Sequence, residues 1–110
     1  METSDLASLE EWYSSLCDGD WEHGLGIKIE SLDNPGWSVT INLADTELEE
    51  MPFSEVSHNE VGQRYADNQD WWMCQKVGKE FRGAGGPNQL NMILRIFKEW
   101  VRSVAEQSAI

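Results

Sequence analysis

Residues 25–43 read LGIKIESLDNPGWSVTINL and contain the clearest structural signal of the chain. Apolar side chains occupy every second position from Leu25 to Ile29 and again from Trp37 to Leu43, a spacing typical of strands with one buried face. Between the two runs lies Asp33-Asn34-Pro35-Gly36, where proline presets φ and glycine accepts a positive φ. The stretch therefore predicts a β-hairpin.

Segments whose apolar residues have helical spacing lie on both sides of this hairpin in the sequence. Thr3 or Ser4 can cap a first helix, which we expect to end at Gly19, and Asn88 can cap a last helix. Each helix has an apolar stripe with a spacing of three or four residues. The stripes are Leu6, Leu9, Trp12, Tyr13 and Leu16 in the first helix, and Leu90, Ile93, Leu94, Phe97, Val101 and Val104 in the last, with Trp100 at its border.

The segment that follows the hairpin is more irregular. Asp45 to Pro52 is predicted to be an acidic loop, and Phe53 to Ser57 a third strand. His58 to Asp70 is polar and is predicted to be a long excursion.

A second hairpin completes the predicted sheet, with strands from Trp71 to Val77 and from Glu80 to Ala84 and a turn at Gly78. At 110 residues the chain suits a single domain, residues 1–110. The sequence thus predicts an α+β fold, in which an antiparallel sheet of about five strands has an N-terminal and a C-terminal helix packed on one face.

The distribution of charge narrows the classes of partner. The chain has a formal net charge of −12, and residues 1–60 alone carry −14 because Lys28 is their only base. A field of this sign repels phosphate backbones and anionic lipid, which disfavours nucleic-acid and membrane binding. It attracts a basic protein partner and raises the encounter rate with it. The alternative is that the charge serves solubility alone.

The sequence also indicates the cellular location of the protein and the redox state of its cysteines. No apolar run exceeds four residues, and the acidic N-terminus lacks the basic and apolar blocks of a signal peptide. We therefore expect no membrane span and a cytoplasmic location. Cys17 and Cys74 are expected to be reduced thiols, buried as small hydrophobic side chains.

Two short segments contain residue types that bind ligands. Residues 17–23, Cys-Asp-Gly-Asp-Trp-Glu-His, include metal-ligating types but lack the length and glycine position of a calcium loop. Gly83-Ala84-Gly85-Gly86 lacks the lysine and hydroxyl of a phosphate-binding loop, so we interpret it as a tight strand-to-helix crossing. No metal, cofactor or catalytic residue is expected.

Two alternatives stay open at this point. One is a small-molecule or metal-binding module centred on residues 17–23. The other is an enzyme that uses Cys17 or Cys74, which is disfavoured because the acids beside Cys17 oppose a thiolate.

Six tryptophans are many for a chain of this length. Trp12, Trp37 and Trp100 fit the predicted core stripes. One of Trp71 and Trp72 should point outward, because neighbouring residues of a strand face opposite ways. An outward tryptophan near acidic residues is typical of an interface hot spot.

Several of these segments together resemble the immunity protein 53 family of bacterial polymorphic toxin systems. The resemblance covers nearly the whole chain. It rests on residues 17–23, 26–30 and 32–39, and it continues through Leu43 to Glu50, Pro52-Phe53, Phe81, residues 83–87 and the Ile96-Phe97-x-x-Trp100 helix. It implies a cytoplasmic protein, encoded beside a toxin, that binds this toxin and blocks it in the producing cell without catalysis.

The resemblance and the charge together predict a binding surface for a basic toxin, which we take to be a nuclease. Its acids are expected to steer the toxin and pair with its lysines and arginines, while Trp21 and Trp72 fill pockets. The expected partner-binding residues are Asp18, Asp20, Trp21, Glu22, His23, Asp33, Asp45, Glu47, Glu49, Glu50 and Trp72.

Overall fold

A five-stranded antiparallel sheet forms the centre of the structure, a computed structural model that describes residues 4–24, 26–33, 35–58 and 70–108. The helices are α1 (Asp5–Leu16), α2 (Trp21–Gly24) and α3 (Leu90–Ser108). The strands are β1 (Ile27–Leu32), β2 (Gly36–Asn42), β3 (Val56–His58), β4 (Trp72–Val77) and β5 (Glu80–Gly85), in the spatial order β1-β2-β5-β4-β3. The predicted α+β fold is confirmed.

Both predicted hairpins are present. β1 pairs antiparallel with β2, with Ile29 opposite Val39, and the two strands are joined at the Asp33–Gly36 turn. β4 pairs antiparallel with β5, and Gly78 in their turn has a φ of 61°, a left-handed conformation that glycine adopts at little steric cost. β2 and β5 pair with each other and lie inside the sheet.

The core lies between α3 and one face of the sheet. Phe81 of β5 is fully buried, and its ring centroid lies 5.1 Å from that of Phe97 on α3. A Cβ atom added at Gly83 would lie 2.5 Å from the side chain of Ile93, so β5 needs a glycine where α3 crosses it. Residues 83–86 were predicted to be the strand-to-helix crossing, but β5 continues to Gly85, so the connection to α3 is residues 86–89 and Gly83 is required within the strand.

Helix α1 packs on α3 through an aromatic contact and a buried ion pair. The rings of Trp12 and Phe97 meet edge to face at 5.0 Å. Asp5 is buried and accepts hydrogen bonds from Lys98 Nζ at 2.7 Å and Arg95 Nε at 3.3 Å. The bond from Lys98 and the two positive charges hold the pKa of the Asp5 carboxyl below its usual value. Ser4 caps α1, as predicted, by accepting from the N–H of Ala7.

Helix α1 differs from its prediction at both ends. Leu6 is 54% exposed, because Asp5 rather than Leu6 is turned toward α3. The helix ends at Leu16 instead of Gly19, and Cys17, expected to be buried, is exposed. Gly19 has a φ of 96°, but it belongs to the turn between α1 and α2, where the carboxylates described below start a new helix.

Two boundaries near the sheet also differ. β3 starts at Val56 rather than Phe53, because the Phe53 ring packs 4.9 Å from Trp100 and 5.5 Å from Phe81. The first hydrogen bond of α3 runs from the N–H of Ile93 to the carbonyl of Gln89, so Gln89 and not Asn88 precedes the helix. Of the predicted excursion, residues 59–69 lie outside the described residues.

Candidate functional site

The two acidic loops named by the sequence meet at one end of the sheet. We call this the acidic end and define it as residues 17–24 and 43–51. The indole Nε1 of Trp21 donates to the carbonyl of Ala44 at 2.9 Å, and that of Trp12 donates to Glu47 Oε1 at 3.4 Å. The rings of Trp12 and Trp21 meet edge to face at 6.1 Å. The contact between Trp21 and Ala44, 23 positions apart in sequence, therefore brings the two loops together into one surface.

Carboxylates organise the first of these loops. Asp18 Oδ1 accepts from the N–H groups of Asp20 at 2.9 Å and Trp21 at 3.0 Å. Glu22 reaches back to accept from the N–H of Asp18 at 3.0 Å and of Gly19 at 2.8 Å. This reciprocal arrangement resembles a capping box at the start of α2, although the two carboxylates are four rather than three residues apart. It leaves the side chains of Asp20 and His23 exposed.

These hydrogen bonds keep both capping residues ionised. The N–H groups of Trp21 and Asp20 hold the pKa of Asp18 below its usual value. The backbone N–H of Glu22 itself, together with those of Asp18 and Gly19, lowers the pKa of the Glu22 carboxyl in the same way. The loop thus presents fixed negative charge.

The second loop is anchored by Leu48, which is fully buried in the core. Asp45 has a φ of 65°, a left-handed conformation that aspartate tolerates, and its N–H donates to Glu49 Oε1 at 2.9 Å. That bond lowers the pKa of Glu49, with a further contribution from Lys79, whose Nζ lies 3.8 Å from Glu49 Oε1. Asp45, Glu47 and Glu50 are exposed.

A lysine holds the end of the second loop. Lys76 Nζ donates to the carbonyl of Glu49 at 2.7 Å and to that of Met51 at 2.8 Å. The loop is therefore tied to β4 as well as to the core, and its exposed acids stand on a fixed backbone.

The structure corrects the prediction that the side chain of Trp21 fills a pocket of the partner. Its exposure is 6%, and its ring packs against Trp12 and Tyr13. A side chain in this position cannot enter a partner's pocket without leaving the core. Its function is to fasten α2 to residue 44 of the other loop.

The remaining predicted residues lie at the opposite end of the sheet. Asp33 is exposed in the β1–β2 turn, and the length of β1 separates it from the acidic end by roughly 17–20 Å. Trp72 pairs with Gly85 near that same end, and its ring stacks on His58 at 5.8 Å. We call this the turn end and define it as residues 31–33 and 35–37, His58, and residues 70–72 and 85–89.

Polar side chains bind one another at the turn end. Asp70 lies 3.4 Å from His58 Nε2 and accepts from Gln89 Nε2 at 3.0 Å. Of the adjacent tryptophans, Trp71 is 4% exposed and lies before β4, whereas Trp72 is half-buried, so neither is fully exposed. The predicted site is thus divided between two ends of the sheet rather than forming one surface.

A cleft beside the acidic end was not predicted. It measures about 340 Å³ and is lined by Leu9, Glu10, Tyr13, Glu22, Gly26 and Ile27. The acids of α1 were available in the sequence as a signal. The approach of α1 to the start of β1 was not, because it depends on the packing of separate elements.

The alternatives gain no support from the part of the chain that the structure describes. No group of three His, Cys, Asp or Glu side chains within it is placed to hold a metal ion. Burial raises the pKa of the Cys74 thiol to about 12, which opposes the thiolate that a cysteine enzyme needs.

None of the described helices is long and apolar enough to cross a membrane.

The comparisons with known proteins identify the family. Neither the curated proteins nor the solved structures contain a match to this chain. Residues 6–102 match the family model of immunity protein 53. Because this match spans the sheet and most of both long helices, the chain belongs to the immunity protein 53 family.

Proposed function

We propose that this protein binds a cognate bacterial toxin domain and neutralises it by occlusion, using the acidic end as its contact surface. The family match to immunity proteins is the observation that supports the proposal most strongly. The protein then acts in the cytoplasm of the toxin-producing cell.

The acidic end suits this function because its charges are held in place before the partner arrives. Asp18, Glu22 and Glu49 are fixed by backbone N–H groups, and their lowered pKa values keep them charged. Preorganised charges lose little conformational freedom on binding and steer an oppositely charged partner. The exposed acids Asp20 and Glu50 add to the same field.

The negative charge of the acidic end also indicates the kind of toxin that it binds. A surface with this excess of acids complements a basic domain, and toxins that cleave nucleic acid carry positive charge for their own substrate. We therefore propose a basic nuclease domain as the partner. An immunity protein of this charge occupies the surface that would otherwise attract the phosphate backbone.

A co-purification experiment tests the proposal. The toxin domain encoded immediately upstream is expressed with this chain, and the pair is passed over a size-exclusion column at low and high salt. We expect one complex at low salt and a smaller fraction of complex as the salt concentration rises, because salt screens the attraction between the two proteins. Separate elution at every salt concentration contradicts the proposal. A complex whose association is insensitive to salt contradicts the role of the acidic end.

A further inference from the structure

Strand β1 has one side that pairs with no described strand. It lies at the edge of the sheet and pairs only with β2. The N–H of Asn42 donates to the carbonyl of Gly26, which fixes the alternation of hydrogen bonds along the β1–β2 ladder. Lys28 and Glu30 therefore direct their backbone groups toward β2. Ile27, Ile29 and Ser31 direct theirs outward.

This free edge is long and accessible. β1 has six residues, whereas β3 at the opposite edge has three. Residues 28–31 are exposed, and the side chain of Ile29 is 38% exposed on the same face as Ile27. Edge strands of this kind bind extended segments of other chains through backbone hydrogen bonds.

The cleft described above adjoins this edge. Ile27 belongs to both, and with Leu9 and Tyr13 it gives the cleft an apolar part of its lining. Glu10 and Glu22 also line the cleft, and Glu22 is held in place by the N–H groups of Asp18 and Gly19. A strand added beside β1 would place every second side chain on the face of Ile27 and Ile29, and the side chain beside Ile27 would lie next to the cleft. An arginine or lysine there has an apolar surface for its stem and two carboxylates for its charge.

We infer that the outer edge of β1 and the adjoining cleft bind an extended, basic segment of the toxin, which adds a sixth strand to the sheet. This inference rests on the proposed function and names the surface used. Charge selects this occupant over a second copy of the chain, because each copy carries a net charge of −12. Lys28 does not repel the segment from the cleft, since it projects from the other face and pairs with Glu30 at 3.6 Å.

Amide hydrogen exchange of the full chain, free and bound to the upstream-encoded toxin domain, tests the inference directly. In the free protein the amides of Lys28 and Glu30 should be protected by β2, whereas those of Ile29 and Ser31 should exchange rapidly. Binding is expected to slow the exchange of Ile29 and Ser31 by tenfold or more, as new backbone hydrogen bonds form. If binding instead stabilised the β1–β2 hairpin from a distance, the amides of Lys28 and Glu30 would exchange more slowly, which would contradict the inference.

A proline substitution supplies the matched variant. In Ile29→Pro the lost N–H is one that faces outward, so the β1–β2 ladder keeps its hydrogen bonds, and proline is tolerated on edge strands. Ile29→Ala removes the side chain but keeps the N–H. We expect Ile29→Pro to weaken toxin binding by about tenfold or more and Ile29→Ala by about threefold or less. An unchanged circular dichroism spectrum verifies that each variant folds.

The outcomes separate the inference from the function on which it rests. If the toxin binds while Ile29 and Ser31 still exchange rapidly, the edge inference is wrong and the proposed function stands. If the toxin does not bind at all, both fail. If these amides become protected in the free protein as its concentration rises, the occupant is a second copy and the inference is overturned.

Discussion

The acidic end and the turn end both contain aspartate and tryptophan, but they use these residues in different ways. At the acidic end, Asp18 and Glu22 accept hydrogen bonds from backbone N–H groups, and Trp21 is buried. At the turn end, Asp70 binds the side chains of His58 and Gln89, and Trp72 is half-buried. Charge held by backbone groups is fixed in the folded chain. The comparison teaches that the acidic end, the proposed contact surface, differs from the turn end both in its larger number of acids and in the backbone hydrogen bonds that hold three of them.

The largest difference between the two ends should be in the stability that their tryptophans provide. Trp21→Ala empties a buried site and leaves the carbonyl of Ala44 without its indole donor, so we expect a loss of about 3–5 kcal/mol in the free energy of unfolding. Trp72→Ala should cost about 1 kcal/mol, because its ring is only half-buried. Urea denaturation measures both. Equal losses would contradict the assignment of Trp21 to the core.

Substitution of Asp5 tests whether a buried acid outside both ends contributes to stability without contributing to toxin affinity. Asp5→Ala removes the acceptor of Lys98 and Arg95 between α1 and α3, and we expect a loss of about 1.5–3 kcal/mol in the free energy of unfolding. Toxin affinity of the folded protein should be unchanged. Asp33→Ala, in the exposed turn, is the control and should leave the urea midpoint nearly unchanged. A loss of affinity in Asp5→Ala would place the interface elsewhere.

Charge reversal compares the two ends as binding surfaces. The double variant Asp20→Lys with Glu50→Lys changes two exposed acids whose side chains take no part in the described capping bonds. We expect the association rate with the toxin to fall by about tenfold at low salt, with a smaller change in dissociation. The control, Asp33→Lys at the turn end, should change the rate much less. Stopped-flow mixing across a salt series measures this, and equal effects at both ends would contradict steering by the acidic end.

Low pH should weaken the hydrogen bonds that carboxylates make with backbone N–H groups at the acidic end. The folded-state pKa values of Asp18, Glu22 and Glu49 lie below the ordinary values of these side chains, 3.8 for aspartate and 4.5 for glutamate. Their stabilising contribution is therefore fully present above about pH 4.5, and it is lost as the pH falls through the lower folded-state values. The amide resonances of Asp20 and Trp21, followed by NMR, should move with a midpoint below 3.8, the ordinary pKa of an aspartate.

Asp18→Asn is the control for this titration, because it removes the ionisable group while keeping an acceptor oxygen. The variant should lose most of the acid-dependent movement of the Trp21 amide resonance. A wild-type transition well above pH 4.5 would show that the backbone hydrogen bonds do not hold these carboxylates ionised.

The sequence was sufficient to predict the hairpins and the α3 face, because each depends on a local period of apolar residues. Val39 and Ile41 are buried where the alternation places them, and Ile93 and Phe97 are buried where the helical spacing does. Leu6 was mispredicted for a tertiary reason. The lysine and arginine that hold Asp5 lie about ninety residues away in sequence, on α3.

The candidate site was less predictable because it depends on which loops meet. Trp21 was taken for a contact residue, since its burial depends on a carbonyl 23 positions along the chain. Asp33 was grouped with the acidic loops, although the turn places it at the far end of β1. The position of β1 at the edge follows from the order of the strands, which a pattern of alternation does not encode.

Survival of bacteria after induction of the upstream toxin gene, with and without this chain, tests the central claim most directly. The account predicts that the toxin alone kills and that co-expression of this chain restores growth. Reversal of Asp20 and Glu50 should weaken that rescue more than reversal of Asp33, in strains with equal protein levels. Toxicity that this chain does not relieve would contradict the claim that it neutralises this toxin.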